Sequence, residues 1–414
     1  MVNIFSAKLF LSENYIKKDC SMEYNPLSPE VKANPYPYYA ELRRSAPVYY
    51  VESLDCWAVS RYADVNHVLR TPKLFSSEIL ITTLLGEMNP VPEALSLISS
   101  DPPDHTRLRK LVNKAFTPKI VKSLRPWIQE ITRAQLDKVD GQDAFDLVEV
   151  LSSPLPVIII AEMLGVEPDR QVDFKRWSND IINAANRTYT PEGKEQIEQS
   201  IAEFRAYFET AIAERRQTPR EDLITALVRA EEENQTLTPG EVLSLTVLLL
   251  IAGNETTTNL IGNMLLALLS HPDQLLKVQT DPTLIPNVIE ETLRYDGPVQ
   301  GIFRQSTEKV EIAGTTIPAQ SLVFPLFASA NHDETIFADP ERFDITRTLD
   351  GHLGFGFGRH FCLGAQLARL EAEVALEELV VRYTSFSYRP AEVVHTESFF
   401  LRGLSTLPLR VHAA

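Results

Sequence analysis

Gly354-Phe355-Gly356-Phe357-Gly358-Arg359-His360-Phe361-Cys362-Leu363-Gly364 sets three alternating glycines ahead of a single cysteine. Leu363, Leu367, Leu370 and Val374 follow at helical spacing, so a helix is expected to open at Cys362 or just after it. Unpaired N–H groups and the helix dipole favour negative charge at such a place, and a thiolate held there is a good metal ligand. Glycine lets the backbone approach a flat partner closely and take positive φ. These residues describe a cysteine thiolate offered from a loop to something large and planar. Blander readings compete. A lone cysteine is commonly a small buried core residue. A phosphate loop would need a strand–glycine–helix unit, and Arg359 stands where the third glycine of a dinucleotide fingerprint would fall. Zinc needs more ligands than His360 and Cys362 supply nearby. A Cys–His hydrolase stays open on spacing, although its chemistry does not call for the glycine framing.

Composition narrows the class. The 414 residues, 44% hydrophobic and 23% charged, fit a globular enzyme with a core large enough to bury a cofactor. A net charge of −16 argues against a nucleic-acid partner and against adhesion to anionic membranes. The cysteines, Cys20, Cys56 and Cys362, form an odd, sparse set without framework spacing, which implies a reducing, cytoplasmic setting. The apolar run from Ile4 to Leu11 is broken by Ser6 and Lys8 and falls short of the roughly 20 residues of a membrane span. No membrane anchor is therefore expected. Residues 1–22 read as a loosely ordered arm and 23–414 as one domain.

Outward from the cysteine, the chain reads as mainly α with a smaller β portion. A helix is expected at Tyr38–Ser45, strands at Val48–Val51 and Cys56–Val59, and a further helix from Arg61. Residues 73–100 show no clean period and read as a long apolar loop walling a pocket. Asp101-Pro102-Pro103-Asp104-His105 opens a helix that sets His105 and Arg109 on one face. Residues 119–235 are helix after helix. Leu243 to about Leu269 is the longest apolar helical run, and Ala252-Gly253-Asn254-Glu255-Thr256-Thr257-Thr258 interrupts it. Gly and a threonine run lower helix propensity in a buried helix, so their central placement points to function. Glu291 and Arg294, three apart, form a pair that by itself carries little information.

Taken together and in order, these segments resemble the cytochrome P-450 family, the heme-thiolate monooxygenases, in their soluble bacterial form. Phe355, Gly358, Cys362 and Gly364 match the family's Phe-x-x-Gly-x-x-x-Cys-x-Gly without departure, and Ala252–Thr256 matches Ala/Gly-Gly-x-Asp/Glu-Thr. Glu291–Arg294 matches Glu-x-x-Arg, and the likeness runs from about residue 25 to residue 412. The resemblance implies a cytochrome P-450 fold with heme b buried between the long central helix and the Cys loop. It implies Cys362 as the axial iron ligand, and His105, Arg109, Arg304 and His360 as partners of the heme propionates, with Phe355 and Gly364 framing the cofactor. Gly253, beside Ala252, would leave room for a diatomic ligand. Thr256 would hydrogen-bond to the oxygen being activated and Glu255 would relay protons, with a local opening of the helix admitting water. Glu291, Arg294 and Arg342 would form a buried ion cluster bracing the Cys loop. Leu245, Leu248, Leu249, Val299, Ile302 and Phe400 would line a pocket for a hydrophobic small molecule, with Gln300 as one polar contact. Electrons would come from NAD(P)H through a separate ferredoxin and its reductase, docked near Lys110, Lys114 and Arg359, to a monomeric enzyme. A peroxide-driven enzyme, other heme-thiolate chemistry such as C–C coupling or nitration, and a non-enzymatic heme-thiolate sensor are the alternatives.

Overall fold

Proline and turn residues mark where the first elements begin. The computed structural model describes residues 23–186, 189–232, 235–348 and 350–413. The expected N-terminal arm, residues 1–22 with Cys20, lies outside them. Helix α1 (Tyr36–Ser45) carries proline in its first turn, where a missing N–H costs nothing. Strands β1 (Val48–Val51) and β2 (Cys56–Val59) match the sequence expectation and run antiparallel, Val48 opposite Val59. The stretch read as a long loop instead holds strand β3 (Phe75–Ser76) and a helix at Ile79–Leu85. Isoleucine and threonine lower that helix's intrinsic propensity, and burial of Leu80 and Leu85 overrides it.

Helix α2 (Asp104–Ala115) starts directly behind the proline pair. Helices α3 (Gln171–Asn186) and α4 (Pro191–Gln217) pack on each other and on α5 (Pro239–Ser270). Thr238 and Glu241 close a reciprocal capping box at the start of α5. With 32 residues, α5 spans about 48 Å at 1.5 Å per residue and so crosses the molecule. It is apolar on nearly every face because neighbours surround it, among them α6 (Ile285–Tyr295) and α7 (Ala365–Arg382). Leu111, Leu260, Leu293 and Leu376 bring α2, α5, α6 and α7 into one buried core.

The β portion stands beside this helical body. Strands β4 (Arg304–Ser306) and β5 (Leu322–Pro325) complete a five-stranded sheet in the order β1-β2-β5-β4-β3. β5 lies parallel to β2, with Leu322 opposite Cys56, and antiparallel to β4. A C-terminal hairpin, β6 (Val394–His395) and β7 (Leu404–Thr406), folds back on the chain at Val299, which bridges to Leu401.

Candidate active site

The Cys loop is fixed from three sides. The Cys362 N–H donates to the Phe355 carbonyl at 3.0 Å, and Gly364 caps α7. The Leu353 N–H donates to Asn331 Oδ1 at 2.7 Å. A Cβ on Gly354 would lie 2.8 Å from the Leu293 carbonyl oxygen, so glycine is what lets the loop sit against α6. Gly358 has φ of +73°, a left-handed position that a side chain would strain. The Arg369 guanidinium stacks 4.4 Å over the Phe355 ring. Burial pushes the Cys362 thiol above its ordinary range, against the pull of the Gly364 N–H and of Arg109 and Arg369. The helix-start position alone predicted a thiolate; burial opposes it, and a coordinated metal ion reverses the balance by deprotonating the thiol outright.

Beside the loop, positive charge gathers with little to balance it. His105 is buried, and neither ring nitrogen has a hydrogen-bond partner. Its ring lies 4.2 Å from that of His360, whose Nε2 meets Ser77 Oγ at 3.0 Å. Burial, with Arg109 and Arg359 adding to it, drives His105 down to about 4. Burial, Arg304 and His105 drive His360 down to about 2. Arg304 is 4% exposed, donates from Nη1 to the Phe303 carbonyl at 2.8 Å, and is drawn down to about 10 by burial. Asp101 is the carboxylate that acts on His105 and Arg304. Three arginines and two histidines thus converge with one carboxylate among them, an arrangement that calls for a multiply charged anion. Two propionates at the edge of a porphyrin would fit that demand, with Cys362 placed to hold its iron. His105, Arg109, Arg304 and His360 stand close enough to act on one another. Ser77 was missed, because no spacing relates it to His360. Among the described residues no group of three or more His, Cys, Asp or Glu is placed to hold a metal ion.

On α5, Leu245, Leu248, Leu249, Ala252 and Thr256 share one face by helical spacing. The helix runs unbroken through this segment, so the expected opening is not seen. Thr256 Oγ1 instead donates to the Ala252 carbonyl at 2.5 Å, satisfying the hydroxyl inside its own helix. Glu255 is half-buried. At Gly253 a Cβ would meet Ile160 Cδ1 at 3.1 Å, so the glycine accommodates a neighbouring helix. Leu245 and Leu249 are buried in the main core, while Leu248 is partly exposed. Val299, Ile302 and Phe400 are partly exposed near the hairpin. Gln300 is not a free polar contact. Its Oε1 accepts from Tyr39 at 3.0 Å, its Nε2 donates to the Gly297 carbonyl at 3.1 Å, and its backbone N–H holds the Phe400 carbonyl.

The ion cluster also differs from expectation in one member. Arg294 and Glu291 are fully buried and paired twice at 2.8 Å, and Arg294 also donates to the carbonyls of Asn331, Pro340 and Arg342. The Arg342 side chain is 60% exposed and points to Asp344, so it contributes only its carbonyl. The guanidinium beside Glu291 is that of Arg347, 3.6 Å away and 14% exposed. Arg347 sits in a loop, where periodicity gives no signal of burial.

Residues 29–410 match the family model for cytochrome P-450. The chain belongs to the cytochrome P-450 family. The P-450 monooxygenase PikC of Streptomyces venezuelae is 41% identical over 403 residues, which covers 94% of each chain. The structure of CYP109Q5 from Chondromyces apiculatus superposes with a TM-score of 0.87 at 47% identity, over 94% of this chain and 98% of that one. CYP109E1 from Bacillus megaterium, solved in complex with testosterone, gives 0.83 at 40% identity, over 91% and 99%. The chain is therefore an oxygen-incorporating oxidoreductase of the P-450 monooxygenase class with a heme-thiolate cofactor, built on the P-450 fold. Among its described residues no helix is long and apolar enough to cross a membrane.

Proposed function

We propose that this P-450 hydroxylates or epoxidises a hydrophobic organic molecule, using heme b and electrons that a ferredoxin carries from NAD(P)H. The cationic cluster beside Cys362 carries the cofactor reading: buried Arg304 and His105, with half-buried Arg109 and His360 and a single carboxylate among them, match the two acid groups of heme b. Cys362 sulfur would take the iron, and His105, Arg109, Arg304 and His360 would take the propionates. When bound, the heme supplies the iron at which O₂ is activated, and a thiolate ligand favours O–O cleavage. One oxygen atom enters the substrate and the other leaves as water, with two electrons and two protons consumed. Thr256 Oγ stands ready to pass a proton into the cavity when it leaves the Ala252 carbonyl. Glu255, its neighbour, refills it from solvent. A peroxide-driven enzyme would not need that pair. Leu248 on α5 and Val299, Ile302 and Phe400 near the hairpin, all apolar and only partly buried, support a hydrophobic substrate. CYP109E1 with bound testosterone supplies a steroid as the first class to screen. Residues 23–414 act in this reading as one cytoplasmic, monomeric domain, and Lys110, Lys114 and Arg359 attract an acidic ferredoxin.

The test is the absorption spectrum of the reduced protein under carbon monoxide, followed by a spin-state screen of steroids, terpenoids, macrolides and fatty acids. A strongly red-shifted Soret band is expected. A band at the position of histidine- or thiol-ligated heme would overturn the ligand assignment.

A further inference from the structure

A polar seam lies between α5 and the C-terminal hairpin. Asn259 is 1% exposed, and neither its Nδ2 nor its Oδ1 has a hydrogen-bond partner. One turn on, Asn263 donates from Nδ2 to the carbonyls of Asp296 at 2.8 Å and Arg402 at 3.0 Å, while its Oδ1 is unpartnered. Gly403 of the hairpin presses on Asn259 so closely that a Cβ there would lie 1.8 Å from Oδ1. Thr396 donates its N–H to the Gly403 carbonyl at 3.0 Å, and its buried hydroxyl has no partner. Past Thr396 and Gly403 lies a small cavity, rimmed by Lys32, His395 and Ser398, with ≈ 20 Å³ open to the centre of a water molecule. That volume suits about one or two waters and excludes an organic ligand.

Buried polar atoms are rarely left without partners; Thr396 lines the cavity, where ordered water supplies its hydroxyl, and Asn259 and Asn263 lie behind Gly403 and Arg402 of the cavity wall. The seam also has a direction. Ala252, Thr256, Asn259 and Asn263 follow at steps of four, three and four, which sets them in one stripe along α5. Helical spacing thus sets Asn259 one turn beyond Thr256, whose hydroxyl the proposed function places at the oxygen site.

We propose that Asn259, Asn263 and Thr396 hold a file of ordered waters leading from the hairpin cavity to Thr256, a second inlet for protons beside Glu255. A proton enters from bulk water at the cavity and passes from water to water. It replaces the proton that Thr256 Oγ gives up, so only O–H bonds are made and broken. The amides keep their charge throughout; Asn259 is a positioning residue that orients the file. The relay rests on the reading of Thr256 given above, whereas the water site does not.

Two measurements test it. A high-resolution crystal structure of the heme-loaded protein should show water hydrogen-bonded to Asn259 and to Thr396. A direct bond from the Asn259 amide to another side chain, with no water between, overturns the site. In kinetics, Glu255→Gln should retain turnover with a solvent isotope effect. Adding Asn259→Leu, or the milder Thr396→Val, should lower product formed per NADPH by about tenfold more, with the red-shifted carbon monoxide band retained. Double variants no worse than Glu255→Gln overturn the inlet. A wild-type spectrum without the red-shifted band would instead refute the proposed function and leave the crystallographic water site standing.

Discussion

At Arg304 the chain holds a charge that helps or harms according to what stands opposite it. Burial works against it, and Asp101 works for it. Arg304→Leu should therefore raise the melting temperature of the heme-free protein and lower that of the heme-loaded protein. Heme release should quicken by about 10- to 100-fold, the equivalent of about 1.5–3 kcal/mol for a charged hydrogen bond. Calorimetry of both forms, with heme transfer to a scavenging globin, checks both signs; a fall in both forms would mean that Arg304 serves packing alone. Thr256 makes a second case. Its hydroxyl is satisfied by the Ala252 carbonyl, so Thr256→Ala should leave heme and substrate binding intact. Product per NADPH should drop by about tenfold, with hydrogen peroxide released in its place. Oxygen-electrode stoichiometry measures this, and unchanged coupling would remove Thr256 from the relay.

Among elements, α6 is the brace between the Cys loop and the core. Glu290 takes Arg369 of α7 at 2.5 Å and His352, just ahead of the loop, at 2.8 Å. Burial would raise this carboxyl, but Arg369 and His352 outweigh it and hold it down to about 2, against an ordinary 4.5. A depressed carboxyl stabilises the fold above its unfolded value and loses that stabilisation as pH falls through its folded one. The stability advantage of the native chain over Glu290→Gln should accordingly shrink as pH falls from about 4.5 toward 2. Chemical denaturation across that window reads it, and a constant gap would exclude the linkage. Helix α5 offers a packing test at Gly253. Gly253→Val should destabilise by about 1–3 kcal/mol through overpacking, and Ile160→Ala in the same chain should recover part of the loss. The same position shows where sequence reading ran short. The lowered helix propensity of Ala252–Thr258 was visible in the sequence, but which way each side chain faces depends on the neighbouring helix that contributes Ile160. Arg342 and Arg347 teach the same lesson, since both are loop arginines near Glu291 and only tertiary contact separates them. Gln300 looked available because its partner, Tyr39, lies far away in sequence.

Across the whole molecule, the Cys loop, α5 and the Glu291–Arg294 pair were legible because each rests on local spacing that the fold preserves. The helix at Ile79–Leu85 was not, since buried leucines rather than intrinsic propensity hold it. The charge map of the surface carries one further prediction. With a net charge of −16, attraction of the proposed acidic ferredoxin would depend on a local basic face. Reversing Lys114 and Arg359 to glutamate should slow ferredoxin-dependent reduction and flatten its dependence on salt, as stopped-flow kinetics would show. Unchanged rates would move the docking face elsewhere.

The sheet order has a consequence for how the chain is made. β2 pairs on one side with β1, formed at almost the same moment, and on the other with β5, which begins at Leu322. During synthesis the edge of β2 therefore waits for more than half of the chain to leave the ribosome, and β3 waits for β4 in the same way. The first hundred residues are born without the partners that complete their sheet. Nascent chains stopped short of Leu322 should leave Val48–Val59 open to protease, and chains extended past Pro325 should close it.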